Sequence, residues 1–238
     1  MFRLAKQIDL WEFEPESKQI FRPNTMLGNG FRFGLKSFGY HLIANKVREL
    51  ANLGAKPSVL EMGAGLGSIL VESIGGIARY TNVDQEGFYD SAKYANAVEK
   101  RKGGTEISGL MGQFLVGQLA DNSFDLTCSV SVIEHVPISD IPNCAADCAR
   151  VTKPGGFFVH TLDVTSDQES IWTAWRKAIE RDFEFVQPPQ PISFGEDGLL
   201  YESAGQMISV ARQAKNRSQI ERFLSKSLCT IQIIARKR

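Results

Sequence analysis

The stretch Val59-Leu60-Glu61-Met62-Gly63-Ala64-Gly65-Leu66-Gly67-Ser68 holds the spacing most able to do chemistry in this chain. A short apolar run ends in glycines at alternate positions, and a helix-like stretch follows. Glycines allow tight backbone angles and let a ligand approach the main chain, while a helix start offers unpaired N–H groups. A pyrophosphate site calls for G-x-G-x-x-G. Here the pattern is G-x-G-x-G, with Ser68 in the sixth place and Glu61 two residues before the first glycine. A carboxylate there repels a pyrophosphate and suits a cofactor bearing an ammonium and a sulfonium cation, which favours S-adenosyl-L-methionine over NAD. About twenty residues on, Asp84 closes a second apolar run, where a carboxylate can accept from both ribose hydroxyls.

These residues need elements to hold them. KSFGYHLIANKVRELANL, Lys36 to Leu53, spaces apolar residues at three and four and predicts a helix stopped by Gly54. Strands are expected at Ser58–Met62, Tyr80–Val83, Glu106–Leu110, Phe124–Val130 and Phe157–Leu162, the last entered through the turn Lys153-Pro154-Gly155-Gly156. Helices are expected at Ala92–Lys100, Ile141–Val151 and Gln168–Arg181, with a further one near Ser203–Ala214. Strands separated by helix-length segments imply right-handed crossovers, so the expected fold is α/β: a doubly wound, mostly parallel, seven-stranded Rossmann-like sheet with helices on both faces. Leu228–Ala235 reads as a final edge strand. The expected division is a cover segment 1–34, a cofactor-binding core 35–164, a substrate-side insertion 165–227 and the edge strand 228–238.

The composition bounds the function. A hydrophobic fraction of 43% with 23% charged residues argues against disorder. Lysine plus arginine and aspartate plus glutamate each number 27, so the chain is neutral, which disfavours a protein whose affinity comes from neutralising nucleic-acid phosphates. There is no signal-like start and no apolar stretch of the ~20 residues that span a bilayer, so a cytoplasmic protein without a membrane partner is expected. The cysteines Cys128, Cys144, Cys148 and Cys229 are too irregular for a disulfide framework, and Cys144 and Cys148, one helical turn apart, lack a second pair to complete a zinc site. The reaction expected is metal-independent.

Taken together, VLEMGAGLGS (Val59–Ser68), NVD (Asn82–Asp84), DNSFDLTCSVSVIEHV (Asp121–Val136) and RVTKPGGFFV (Arg150–Val159) resemble the class I S-adenosylmethionine-dependent methyltransferases, in particular the small-molecule, ubiquinone-biosynthesis-like group (type 11). The resemblance covers Ser58 to about Asp163. It implies that Gly63, Gly65 and Gly67 wrap the methionine and ribose portion of S-adenosyl-L-methionine, with Glu61 near the amino group, Asp84 on the ribose and Gln85 beside the adenine. It places Gln113 where the family usually has an acid accepting from the adenine amino group, a departure that an amide carbonyl can accommodate, with Phe114 facing the ring. Ser129 falls where the backbone of family members meets the methionine end. The product would be S-adenosyl-L-homocysteine, and Asp125 holds a position that is mainly structural in the family.

Methyl transfer requires in-line approach, so positioning does much of the work and a base is needed only where the acceptor proton is tightly held. His135 and His160 are the candidate catalytic residues; His135 also suits loop ordering, and His160 suits either a pocket lining or the core. His160 and Asp163 should point to opposite faces of their strand. His41, Phe31, Phe33, Phe38, Tyr40, Trp172 and Trp175 read chiefly as packing residues. The function expected is methyl transfer to O or N of a small metabolite. Alternatives are a non-catalytic cofactor-binding or partner-binding protein, a nicotinamide-dependent oxidoreductase, and an RNA or protein methyltransferase; a homodimer is one option for its assembly.

Overall fold

The computed structural model describes residues 1–5, 35–64, 70, 74, 76–85, 105–108, 110–192 and 228–238. Strands β1 (Phe2–Leu4), β2 (Ser58–Met62), β3 (Arg79–Asp84), β4 (Thr105–Ser108), β5 (Phe124–Val130), β6 (Thr152–Thr165), β7 (Phe183–Phe185) and β8 (Leu228–Lys237) form one sheet among the described residues. Its order is β1-β8-β6-β5-β2-β3-β4, with β7 also on β8. The pairs β4–β3, β3–β2, β2–β5 and β5–β6 are parallel, whereas β8 runs antiparallel to β6, β1 and β7. The fold is therefore the expected α/β Rossmann-like one with a mixed sheet. Among the described residues seven strands lie on this path, as expected, and β7 pairs off it, because two three-residue strands share the outer edge of β8: β1 faces Ile231–Ile233 and β7 faces Ala235–Lys237. Phe2 stacks edge-on against Phe185 across their junction, with ring centroids 5.7 Å apart. The start of the segment expected as a cover thus joins the sheet.

Every residue of β2 is buried, as a central parallel strand covered on both faces requires. On one face helix α1 (Leu35–Ala51) lays Ile43, Ala44 and Val47 over Val59, Leu126, Val130 and Val159. On the other, α2 (Ile141–Val151) and α3 (Glu169–Ile179) cover Leu60, Met62, Phe158 and Leu162. Gly54, with φ +99°, ends α1 as a left-handed cap. Lys153-Pro154-Gly155-Gly156, expected as a turn before the fifth strand, lies inside β6. It makes an irregularity against β5 between Phe124 and Leu126, with Gly155 at φ +76°. Asp125 fastens it by accepting from the Lys153 ammonium at 2.8 and 2.9 Å and from the Ser58 N–H at 2.8 Å, which gives it the structural role expected. The helices expected at Ala92–Lys100 and Ser203–Ala214, and Phe31 and Phe33, lie outside the described residues.

Gly39 is where α1 meets the sheet. A Cβ there would stand 2.6 Å from Thr161 Oγ1 and 2.8 Å from a Val130 methyl. Alanine is the better helix former by about 1 kcal/mol, but overpacking costs about 1–3 kcal/mol, so the clash wins. Gly39→Ala should lower the midpoint of urea unfolding; a raised midpoint would contradict this contact.

Candidate functional site

The chain order reverses between β2 and β5, and the carboxyl ends of these strands and of β3 form one edge. Such a switch point is where open α/β sheets bind ligands. At the end of β2, Gly63 adopts φ +67° and donates its N–H to the Val83 carbonyl at 2.9 Å. A Cβ on Gly63 would lie 2.7 Å from a Val132 methyl, so both the backbone angle and the space demand glycine. The next N–H, of Ala64, donates to Oδ1 of buried Asn82 at 3.2 Å. The start of the glycine loop is thereby tied to β3 by two hydrogen bonds. Gly65 and Gly67 lie outside the described residues. Asp84 closes β3 one register step beyond the Met62–Val83 pair; its carboxylate accepts the Gln85 N–H at 2.8 Å, and Gln85 itself is exposed.

Glu61 belongs to β2 but not to its rim. It is buried, and Tyr80 donates its hydroxyl to the carboxylate at 2.5 Å. Its charge is felt inward as well: burial first, and the Glu61 carboxylate second, push the Cys128 thiol well above its ordinary range. Across the switch point, the loop after β4 carries Gln113 and Phe114, both exposed. The Gln113 carbonyl accepts the Leu110 N–H at 3.0 Å, and Phe114 sits at φ +47°. The amide is thus turned back onto its own loop, which sequence spacing does not reveal.

The two candidate histidines are not brought together. His135 is exposed at the end of a short 3-10 turn, Ile133–His135, just past β5. His160 is fully buried in β6, its ring centroid 3.7 Å from that of Phe158, with Nδ1 2.7 Å from Ser129 Oγ and Nε2 without a hydrogen-bond partner among the described residues. Ser129 is equally buried, so its hydroxyl joins β5 to β6. Asp163, on the opposite side of β6 as alternation requires, accepts from the hydroxyls of Ser131 and Thr230, while its N–H donates to Glu134 at 3.4 Å. Sequence reasoning missed Asn82, Tyr80, Val132 and Thr230. Asn82 and Val132 carried a signal, lying in the segments Asn82–Asp84 and Asp121–Val136. Cys144 and Cys148 are buried core residues, with Cys148 Sγ 3.6 Å from Met62 Sδ. Among the described residues no helix is long and apolar enough to cross a membrane, and no group of three or more His, Cys, Asp or Glu is placed to hold a metal ion.

Two histidines make stability depend on pH. Burial, then the Arg48 charge, lowers His41 to about 4, and burial drives His160 well below its ordinary 6.5. Between pH 6.5 and 4 the unfolded chain binds protons that the folded chain refuses. Stability is therefore retained above 6.5 and lost as the pH falls through this window. The melting temperature should drop between about pH 7.5 and about pH 5, and the drop should be smaller in His41→Gln. An equal drop in the variant would show that His41 does not carry this linkage.

Residues 60–160 match the family described as "Methyltransferase domain". Sterol 24-C-methyltransferase of Yarrowia lipolytica is 29% identical over 112 residues, 44% of this chain, and the alignment spans only 28% of that relative's length. Among solved structures, a candidate sarcosine dimethylglycine methyltransferase from Galdieria sulphuraria superposes with a TM-score of 0.61 at 17% identity, covering 83% of this chain and 84% of that one. Geranyl diphosphate C-methyltransferase from Streptomyces coelicolor A3(2), solved with Mg2+, geranyl diphosphate and S-adenosyl-L-homocysteine, gives 0.55 at 12% identity, with 92% and 87% covered. At these identities the structural likeness is one of fold.

Proposed function

We infer that this chain, whose residues 60–160 form a methyltransferase domain of the class I S-adenosylmethionine-dependent kind, binds S-adenosyl-L-methionine across the carboxyl ends of β2 and β3 and transfers its methyl group to a small-molecule acceptor. The observation that carries this reading is the pairing of a side-chain-excluding Gly63 at the end of β2 with the carboxylate of Asp84 at the end of β3. The donor set fits the cofactor: a main-chain loop for the methionine portion and an acid for the ribose diol. By the family resemblance Gly65 and Gly67 would serve the same portion of the cofactor, Gln85, Gln113 and Phe114 border the adenine, and Ser129 contributes backbone near the methionine end. Glu61 acts through its negative field, since Tyr80 engages its carboxylate.

When bound, the cofactor supplies an electrophilic methyl group; the chain's residues hold the acceptor in line and remove its proton. We favour oxygen or nitrogen of a small metabolite as acceptor. Ser131, Asp163 and Thr230 form a hydrogen-bonded row beside Val132, which touches Gly63, so hydrogen-bonding groups stand next to the methionine end of the site. Exposed His135 is the histidine able to meet an acceptor without rearrangement, whereas His160 orders β5 and β6 through Ser129. A carbon acceptor is the second reading, favoured by the names of the sterol and geranyl diphosphate enzymes.

Calorimetric titration with S-adenosyl-L-methionine, S-adenosyl-L-homocysteine and NADH, followed by transfer of labelled methyl to a panel of hydroxyl, amine and alkene acceptors, tests this. Binding of the first two and turnover on one class support it. NADH binding alone would sink it, and cofactor binding without turnover on any acceptor would favour a non-catalytic partner-binding protein.

A further inference from the structure

We propose that Asp147 is a positioning residue for the adenine end of the cofactor, acting through the loop that follows β4. The proposal rests on the cofactor reading above. Asp147 lies in α2, outside the glycine loop and both strand ends, and its side chain is fully buried. One carboxylate oxygen, Oδ2, accepts the Gly112 N–H at 3.1 Å, 35 residues away in sequence. The other, Oδ1, accepts from Arg150 Nε at 2.9 Å and Nη2 at 2.8 Å. Arg150 spends its remaining nitrogen, Nη1, on the Leu119 carbonyl and on Asp121, each at 2.6 Å.

The loop from Leu110 to Leu119 is therefore held near both ends by one acid and one base a helical turn apart. Gly112 lies directly on α2: at φ +96°, a Cβ there would come within 2.9 Å of the Cys144 nitrogen. Leu115 and Leu119 are buried beneath the loop. Gln113 and Phe114 follow the first attachment and are exposed, and the Gln113 carbonyl accepts the Leu110 N–H across Gly112. A buried carboxylate is costly unless its oxygens are matched by charge and hydrogen bonds. Here that match is made by the loop itself and by the arginine that carries the loop's far end. Where Gln113 and Phe114 stand relative to an adenine ring is thus set by Asp147, although Asp147 would touch no atom of the cofactor.

A residue that merely stabilised the fold would weaken every ligand alike, so the test reads base discrimination. Affinities for S-adenosyl-L-homocysteine and for its 6-oxo, inosine-containing counterpart are measured by calorimetry on the full chain for wild type, Asp147→Asn and Arg150→Lys, with melting curves alongside. Asp147→Asn keeps the shape but loses the charge facing Arg150. It should weaken S-adenosyl-L-homocysteine about tenfold and the inosine counterpart by less than about threefold, so the wild-type preference shrinks. Arg150→Lys, which keeps a positive charge and loses the fork, should shift the ratio in the same direction and carries the comparison alone if the first variant does not fold. Equal weakening of both ligands, unchanged affinities, or a wild type that does not distinguish the two bases would overturn the proposal and leave the cofactor reading standing. A wild type that binds neither ligand would overturn both.

Discussion

Asp84→Ala should weaken S-adenosyl-L-methionine binding by about a hundredfold while the protein stays folded. The carboxylate stands at the end of β3, beside the glycine loop, and one of its hydrogen bonds is local, accepted from the neighbouring Gln85 N–H. Two hydrogen bonds from ribose hydroxyls to a carboxylate contribute about 1.5 kcal/mol or more each, and each 1.4 kcal/mol is about a factor of ten. The variant loses both at once. Asp84→Asn keeps one strong acceptor and should lose about tenfold. Calorimetry gives both numbers directly, and a change under about threefold in Asp84→Ala, in a protein that melts normally, would remove Asp84 from the site.

Trp175→Ala should produce the largest loss of stability. Trp175 is fully buried between the sheet and α3, near Phe158 at a centroid distance of 6.2 Å, and its indole N–H donates to the Ile133 carbonyl at 2.9 Å. Emptying such a site costs about 3–5 kcal/mol, which at this chain length lowers the melting temperature by roughly 10 °C. Trp175→Phe separates packing from hydrogen bonding. It refills much of the volume but removes the indole N–H, leaving the Ile133 carbonyl with the Val136 N–H at 3.3 Å, at a cost of about 0.5–1.5 kcal/mol. Ile133 begins the turn that ends at His135, so the phenylalanine variant should lose methyl-transfer turnover more than cofactor affinity. Denaturant unfolding at unchanged slope measures the first effect and single-turnover transfer the second. A loss in Trp175→Ala below about 1 kcal/mol would mean that the indole does not anchor the turn.

Much of the scaffold was legible because it is encoded locally. The runs at Ser58–Met62 and Phe124–Val130 are strands over those same residues, and Ile141–Val151 is the expected helix, with apolar residues at three and four and Pro142 in its first turn. Phe2–Leu4 and Phe183–Phe185 were not legible. Three residues carry no usable periodicity, and these become strands only because β8 leaves its outer edge unpaired along both stretches. The Lys153–Gly156 segment reads locally as a turn, yet Asp125 and Arg236 fix it within β6.

The site divides along the same line. The places of Gly63 and Asp84 could be read locally, because a strand ending in glycine and a strand ending in an acid are short-range statements about backbone freedom and charge. Packing of distant segments sets the rest: Glu61 meets Tyr80, His160 is buried against Ser129 and Phe158, Asp163 gathers Ser131 and Thr230, and Asp147 holds Gly112. Most of these contacts join different strands, or a loop and a helix, across roughly 20 to 70 residues of chain. Strand register and helix docking choose such partners, and neither is written in the residues nearby.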